Sequence, residues 1–112
     1  FEGQVTTILP HKGPCYSCLF EHAPPPGMVP SCQEAGVLGV LPGIIGVIQA
    51  TEVVKYLLGI GELLVGRLVY YDALNMSFDE IKMRWNRECP ICGEKPKITS
   101  IQEEIYGESC RI

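Results

Sequence analysis

Basic charge is scarce in this chain. Its 112 residues carry nine Lys and Arg against thirteen Asp and Glu, a formal net charge of -4. Phosphate affinity rests on clustered cations. Here the cations are scattered, and the densest group, Lys82, Arg84 and Arg87, reads as the solvated side of a strand. No nucleic-acid partner is expected. Long hydrophobic runs are missing too. The longest, Ala35 to Ile48, is broken by glycines and falls short of the roughly 20 residues a bilayer span needs. Gln49, Glu52 and Lys55 follow at once, so a soluble helix is expected and no membrane partner. The N-terminus, Phe1-Glu2-Gly3-Gln4, has neither the basic region nor the apolar core of a secretory leader. It lacks Met and opens on a strand-like segment, which suggests a piece of a longer protein. There are no repeats, and no low-complexity tract beyond the prolines. Hydrophobic residues at 46% and charged residues at 20% are ordinary for one small globular domain, and the length leaves no room for a second core.

What is present begins with Gln4 to Leu9, whose β-branched residues predict a strand ended by Pro10. Residues 21–34 hold four prolines and a glycine, which forbid a regular helix and predict a long loop. Pro42 suits the first turn of a helix and Gly59 its cap, so a helix is expected over 41–58. Ile44, Val47, Thr51, Val54 and Leu58 recur at helical spacing, with Gln49, Glu52 and Lys55 as a narrow polar stripe. Its first half is apolar on all sides, which predicts a buried helix, in the core or against another subunit. Gly39, Gly43 and Gly46 would admit a neighbouring backbone. Arg67–Leu74 and Ser77–Trp85 read as strands, the second from the alternation of Ile81, Met83 and Trp85. The short connection at Asn75-Met76 predicts an antiparallel pair. A further short strand is expected at Ile98–Ile101. The fold class is α/β, mixed or antiparallel strands around a buried helix.

Six cysteines are unusual in so short a chain. Four form two Cys-x-x-Cys pairs, Cys15 with Cys18 and Cys89 with Cys92, each set in Gly and Pro turn residues. Such a turn aims two thiolates at one point. Two of them supply the four soft ligands of a closed tetrahedral zinc site. The pairs are far apart in sequence, so the ion would act as a long-range staple. The alternatives are disulfides, as in a secreted scaffold, or a redox Cys-x-x-Cys with one low-pKa thiol. His11 and His22 are spare ligand candidates, or exposed loop histidines. Cys32 follows Pro30-Ser31 and precedes the helical region. It reads either as an inert loop cysteine or as a thiol with enough access and field to act as a nucleophile. Cys110 reads as inert.

In combination, Gly3-Gln4, Pro14-Cys15-Tyr16-Ser17-Cys18-Leu19, Cys32-Gln33-Glu34-Ala35-Gly36-Val37, Gly46-Val47-Ile48-Gln49-Ala50-Thr51-Glu52-Val53-Val54-Lys55, Tyr71-Asp72-Ala73 and Cys89-Pro90-Ile91-Cys92-Gly93 resemble the MoeB/ThiF/HesA adenylyltransferases. These are relatives of the ubiquitin-activating enzymes, and the resemblance is to their C-terminal part. It covers about residues 3–94, so a domain is drawn over 1–94 with 95–112 as a tail. It implies the C-terminal portion of a Rossmann-like fold with a crossover loop at 20–35, and a structural zinc ion on Cys15, Cys18, Cys89 and Cys92. It also implies an activity for the complete enzyme. That enzyme uses ATP and Mg2+ to adenylate the C-terminal glycine of a ubiquitin-like sulfur-carrier protein for sulfur transfer, of the molybdopterin or thiamine type. Cys32 matches the crossover-loop cysteine that takes part in transfer in several members, and the apolar helix matches a segment of their homodimer packing. A cytoplasmic location follows from the same likeness. The family's nucleotide site has no counterpart here, since no Gly-x-Gly-x-x-Gly follows a strand. The chain alone is expected not to adenylate. Two other readings stand beside the enzyme: a non-catalytic zinc-stapled module that binds a ubiquitin-like protein or dimerises, and a disulfide-rich secreted domain.

Overall fold

The computed structural model describes residues 1–22, 24–25, 28 and 35–100. The elements run β1 (Glu2–Val5), a 3-10 turn (Tyr16–Cys18), α1 (Leu41–Leu58), β2 (Arg67–Asp72) and β3 (Ser77–Lys82). The three strands form one antiparallel sheet in the order β1-β2-β3. Gly3 lies opposite Tyr71, and Tyr71 opposite Phe78, whose rings stack at 4.6 Å. The small core is Val5, Leu41, Leu64, Leu68, Tyr71 and Met83, joined by Cys15 and Cys89.

The strands are shorter than the sequence suggests, for visible reasons. β1 stops at Val5 because Thr6 and Thr7 turn from the sheet to the segment before β2. Thr6 Oγ1 donates to the Leu64 carbonyl at 3.1 Å, and Thr7 forms an isolated parallel bridge with Val65. β2 stops at Asp72 because its carboxylate accepts the amides of Leu74 (2.8 Å) and Asn75 (3.1 Å), closing the turn expected at Asn75-Met76. β3 stops at Lys82, and Trp85 leaves to bond the backbone elsewhere. No strand forms at 98–100, where the amides of Lys97 and Ile98 instead donate to the Pro90 carbonyl; residue 101 lies outside the described residues.

α1 has the expected bounds. Pro42 stands in its first turn, and Gly59 closes it at φ 65, donating its N–H back to the Lys55 and Tyr56 carbonyls. Its packing differs from the expectation. Leu41 and Ile45 face β1, and Ile45 presses on the sheet so closely that a Cβ at Gly3 would lie 2.7 Å from its Cδ1. Much of the apolar row at helical spacing points away: Val47 is 68% exposed and Leu58 65%, while Ile44 is half-buried. Among the described residues the helix is therefore largely exposed, with Leu41 and Glu52 its buried positions. A helix apolar nearly all round offers no unique stripe, so its rotation is decided by a polar requirement. Glu52, read from sequence as solvated, is the buried charge of the structure. Its carboxylate accepts the Thr7 hydroxyl at 2.6 Å and the Leu64 amide at 2.7 Å, and pairs with Lys55. By length and composition alone, this 18-residue helix is long and apolar enough to cross a membrane.

Candidate metal centre

Each Cys-x-x-Cys pair sits on a tight backbone turn. In the first, Cys15 is extended and the chain then coils through Tyr16–Cys18, with Cys18 N–H donating to the Cys15 carbonyl at 3.0 Å. The amides of Ser17 and Cys18 point at the Cys15 sulfur. The second turn repeats this design. Cys89 N–H donates to Asn86 and Gly93 N–H to Cys89, while the amides of Ile91 and Cys92 point at the Cys89 sulfur. Gly93 is required by space. A Cβ there would lie 2.5 Å from the carbonyls of Arg87 and Cys89.

The two turns meet. All four Sγ atoms lie within 4.8 Å of one another. Cys15 and Cys89 sulfurs are 3.6 Å apart, and those of Cys18 and Cys92 3.3 Å. A tetrahedron with metal–sulfur bonds of about 2.3 Å has edges of about 3.8 Å, so the cluster is of a size to close around one ion. All four cysteines are free thiols, which is the opposite of the disulfide reading. Cys89 is fully buried and Cys15 nearly so.

The electrostatics of the cluster are divided. Burial works against a thiolate at Cys89, but the amides of Cys92 and Ile91 and the neighbouring thiols outweigh it and bring the group down to about 7. Burial pushes Cys15 up, and burial with the Cys18 and Cys15 thiols takes Cys92 up to about 12. The opposite directions have one cause. Four sulfurs this close oppose one another's ionisation when they face only each other, so a thiolate at Cys89 is favoured at the expense of its neighbours. A divalent cation inverts that logic by favouring all four thiolates at once. The donor set, four soft sulfurs in a closed site, fits zinc or another thiophilic ion and leaves no open position for catalysis.

Trp85, the one tryptophan of the chain, donates Nε1–H to the Cys92 carbonyl at 3.0 Å. Tyr16 and Phe20 pair with ring centroids 4.9 Å apart on the first turn. His11 and His22 are exposed and stand outside the ligand cluster. Cys32 and Cys110 lie outside the described residues. Glu52 is the buried functional group that sequence reasoning missed. Its surrounding Thr-Glu-x-x-Lys pattern looks the same as a solvated helix face, and no local signal distinguishes the two.

Residues 1–91 match the ThiF family. The chain is 56% identical over 112 residues to the SAMP-activating enzyme E1 of Haloferax volcanii, covering 100% of this chain and 41% of that protein. It is 52% identical over 101 residues to the sulfur carrier protein adenylyltransferase of Thermus thermophilus, covering 86% of this chain and 37% of that one. With the adenylyltransferase and sulfurtransferase MOCS3 of Mus musculus it shares 41% identity over 104 residues, 92% of this chain and 23% of the mouse protein. The chain thus spans less than half the length of each of these relatives. On the strength of a family match over residues 1–91, which takes in the first cysteine turn and enters the second, this chain belongs to the ThiF family.

Proposed function

We propose that this chain is the metal-stapled part of an enzyme that activates the C-terminal carboxylate of a ubiquitin-like sulfur-carrier protein, and that the ion it holds is a structural zinc. The observation that carries the reading is the convergence of four sulfurs from the two ends of a chain whose relatives are named for activating such carriers. In the complete enzyme a carboxylate oxygen of the carrier attacks the α-phosphorus of ATP and pyrophosphate leaves. A sulfur nucleophile then attacks the acyl carbon and AMP leaves. The nucleotide site, with its Mg2+, belongs to the remainder of the enzyme, because no glycine-rich phosphate loop follows a strand here. The fold is read as the C-terminal portion of a Rossmann-like domain, and the molybdopterin or thiamine type of carrier as its substrate. A cytoplasmic setting, where thiols stay reduced and available to zinc, belongs to the same reading. The exposed apolar flank of α1 supports a homodimer or a covering domain in the complete enzyme.

Cys32 is assigned the thiol used in transfer. Its thiolate can displace AMP from the acyl carbon, leaving a thioester that a sulfide-level donor then attacks, giving the carrier thiocarboxylate and returning the Cys32 thiol. The complete enzyme tests both assignments. Pyrophosphate exchange into ATP should require the carrier, and Cys32→Ser should keep that exchange while carrier thiocarboxylate formation falls about tenfold or more. Undiminished thiocarboxylation would make Cys32 a bystander. Carrier binding with no exchange at all would favour the non-catalytic module.

A further inference from the structure

The two cysteine turns do not hang freely from the sheet. Both of the arms that carry them lean on the short segment 63–66 that enters β2. The first arm runs from β1 to Cys15. Thr7 N–H donates to the Leu64 carbonyl at 3.3 Å and Thr6 Oγ1 to the same atom. Further along that arm, Gly13 abuts Val65, where a Cβ would lie 2.6 Å from Val65 Cγ1, and the Pro14 ring lies beside Gly66. The second arm runs from β3 to Cys89. Its Met83 N–H donates to the Gly66 carbonyl at 2.8 Å, and its Met83 sulfur accepts the Thr6 hydroxyl at 3.7 Å.

Segment 63–66 is fixed in turn by Glu52. The carboxylate on α1 takes the Leu64 amide with the same oxygen that takes the Thr7 hydroxyl, while Lys55 holds the other oxygen. One buried group therefore ties the helix, the first arm and the shared platform together.

We propose that Glu52 is a positioning residue for the metal centre: by clamping Leu64 and Thr7 it sets the platform from which both cysteine turns reach the ion, and so couples α1 to metal affinity. The proposal rests on the metal reading above. Coupling of this kind is reciprocal. If the clamp strengthens metal binding, the bound ion strengthens the clamp, and the Leu64 amide should exchange with solvent more slowly when the ion is present.

The test is chelator competition for zinc in the complete protein, comparing wild type with Glu52→Gln, Thr7→Val and Thr7→Ser, with hydrogen exchange at Leu64 as a second readout. The expected result is one ion per chain in wild type, and affinity about tenfold weaker in Glu52→Gln, within the usual range of inter-site coupling. Thr7→Val should lie between, and Thr7→Ser, which keeps the hydroxyl, should match wild type. If Glu52→Gln does not fold, Thr7→Val and the Leu64 exchange decide alone. Variants that unfold more easily but hold zinc as tightly as wild type would reduce Glu52 to a fold-stabilising residue and overturn the proposal, with the metal reading intact. A wild type that binds no ion would instead remove the metal reading, and the proposal with it.

Discussion

Cys89 is the residue on which the site turns. It is fully buried, accepts two backbone amides, and lies 3.6 Å from Cys15. Replacing it by Ser substitutes a harder and less acidic donor and should abolish zinc retention through dialysis against a chelator, read as metal per chain. Gly93 serves the same turn by its lack of a side chain. Gly93→Ala places a methyl against two carbonyls and should lower stability by about 1–3 kcal/mol, measured as a fall in denaturation midpoint with metal bound. Glu52 predicts a pH dependence. Burial opposes its charge, but the bonds from Lys55, Thr7 and the Leu64 amide prevail and hold the carboxyl below its ordinary value. A carboxylate depressed in the folded state contributes stability above its unfolded pKa, and that contribution is lost as pH falls through the folded one. Acid titration of folding stability should therefore show a fall below about pH 4 that is smaller in Glu52→Gln, where Asp72, also held low by Asn75, still contributes. A variant with the same acid profile as wild type would show that other groups carry the effect.

At the scale of elements, α1 separates what the sequence makes legible from what it does not. Its bounds follow from Pro42 and Gly59, two residues whose backbone chemistry acts locally. The antiparallel pairing of β2 and β3 was legible for a similar reason: Ile81, Met83 and the short turn constrain one another over few residues. The cysteine turns were legible because Cys-x-x-Cys is itself a local geometry. The packing face of α1 was not. Val47, Val54, Leu57 and Leu58 are as apolar as Leu41 and Ile45, and the choice between them depends on Thr7 and Leu64, distant in sequence. The same distance hides the early end of β1. The exposed side of the helix yields a prediction. Leu57→Glu, at a position 75% exposed in this chain, should leave the fold of the isolated segment unchanged. In the complete protein it should weaken the proposed homodimer or domain contact, read by molar mass in light scattering and by thermal midpoint. Equal behaviour in both settings would argue that nothing covers this face.

For the molecule as a whole, a small core and a sheet of three short strands leave much of the architecture to the sulfur cluster. Cys15 and Cys89 stand 74 residues apart in sequence, and closing so long a loop constrains both arms at once. Chelation should therefore raise hydrogen exchange in segments 10–20 and 84–97 together, while β2 and β3 keep their protection. Trp85, bonded to the second turn through the Cys92 carbonyl, should report the same event as a change in fluorescence. The most direct measurement of the central claim is X-ray absorption at the zinc edge on natively purified, reduced protein. The account predicts about one zinc per chain with four sulfur neighbours at about 2.3 Å; a shell dominated by nitrogen or oxygen, or no bound ion with all four thiols free, would contradict it.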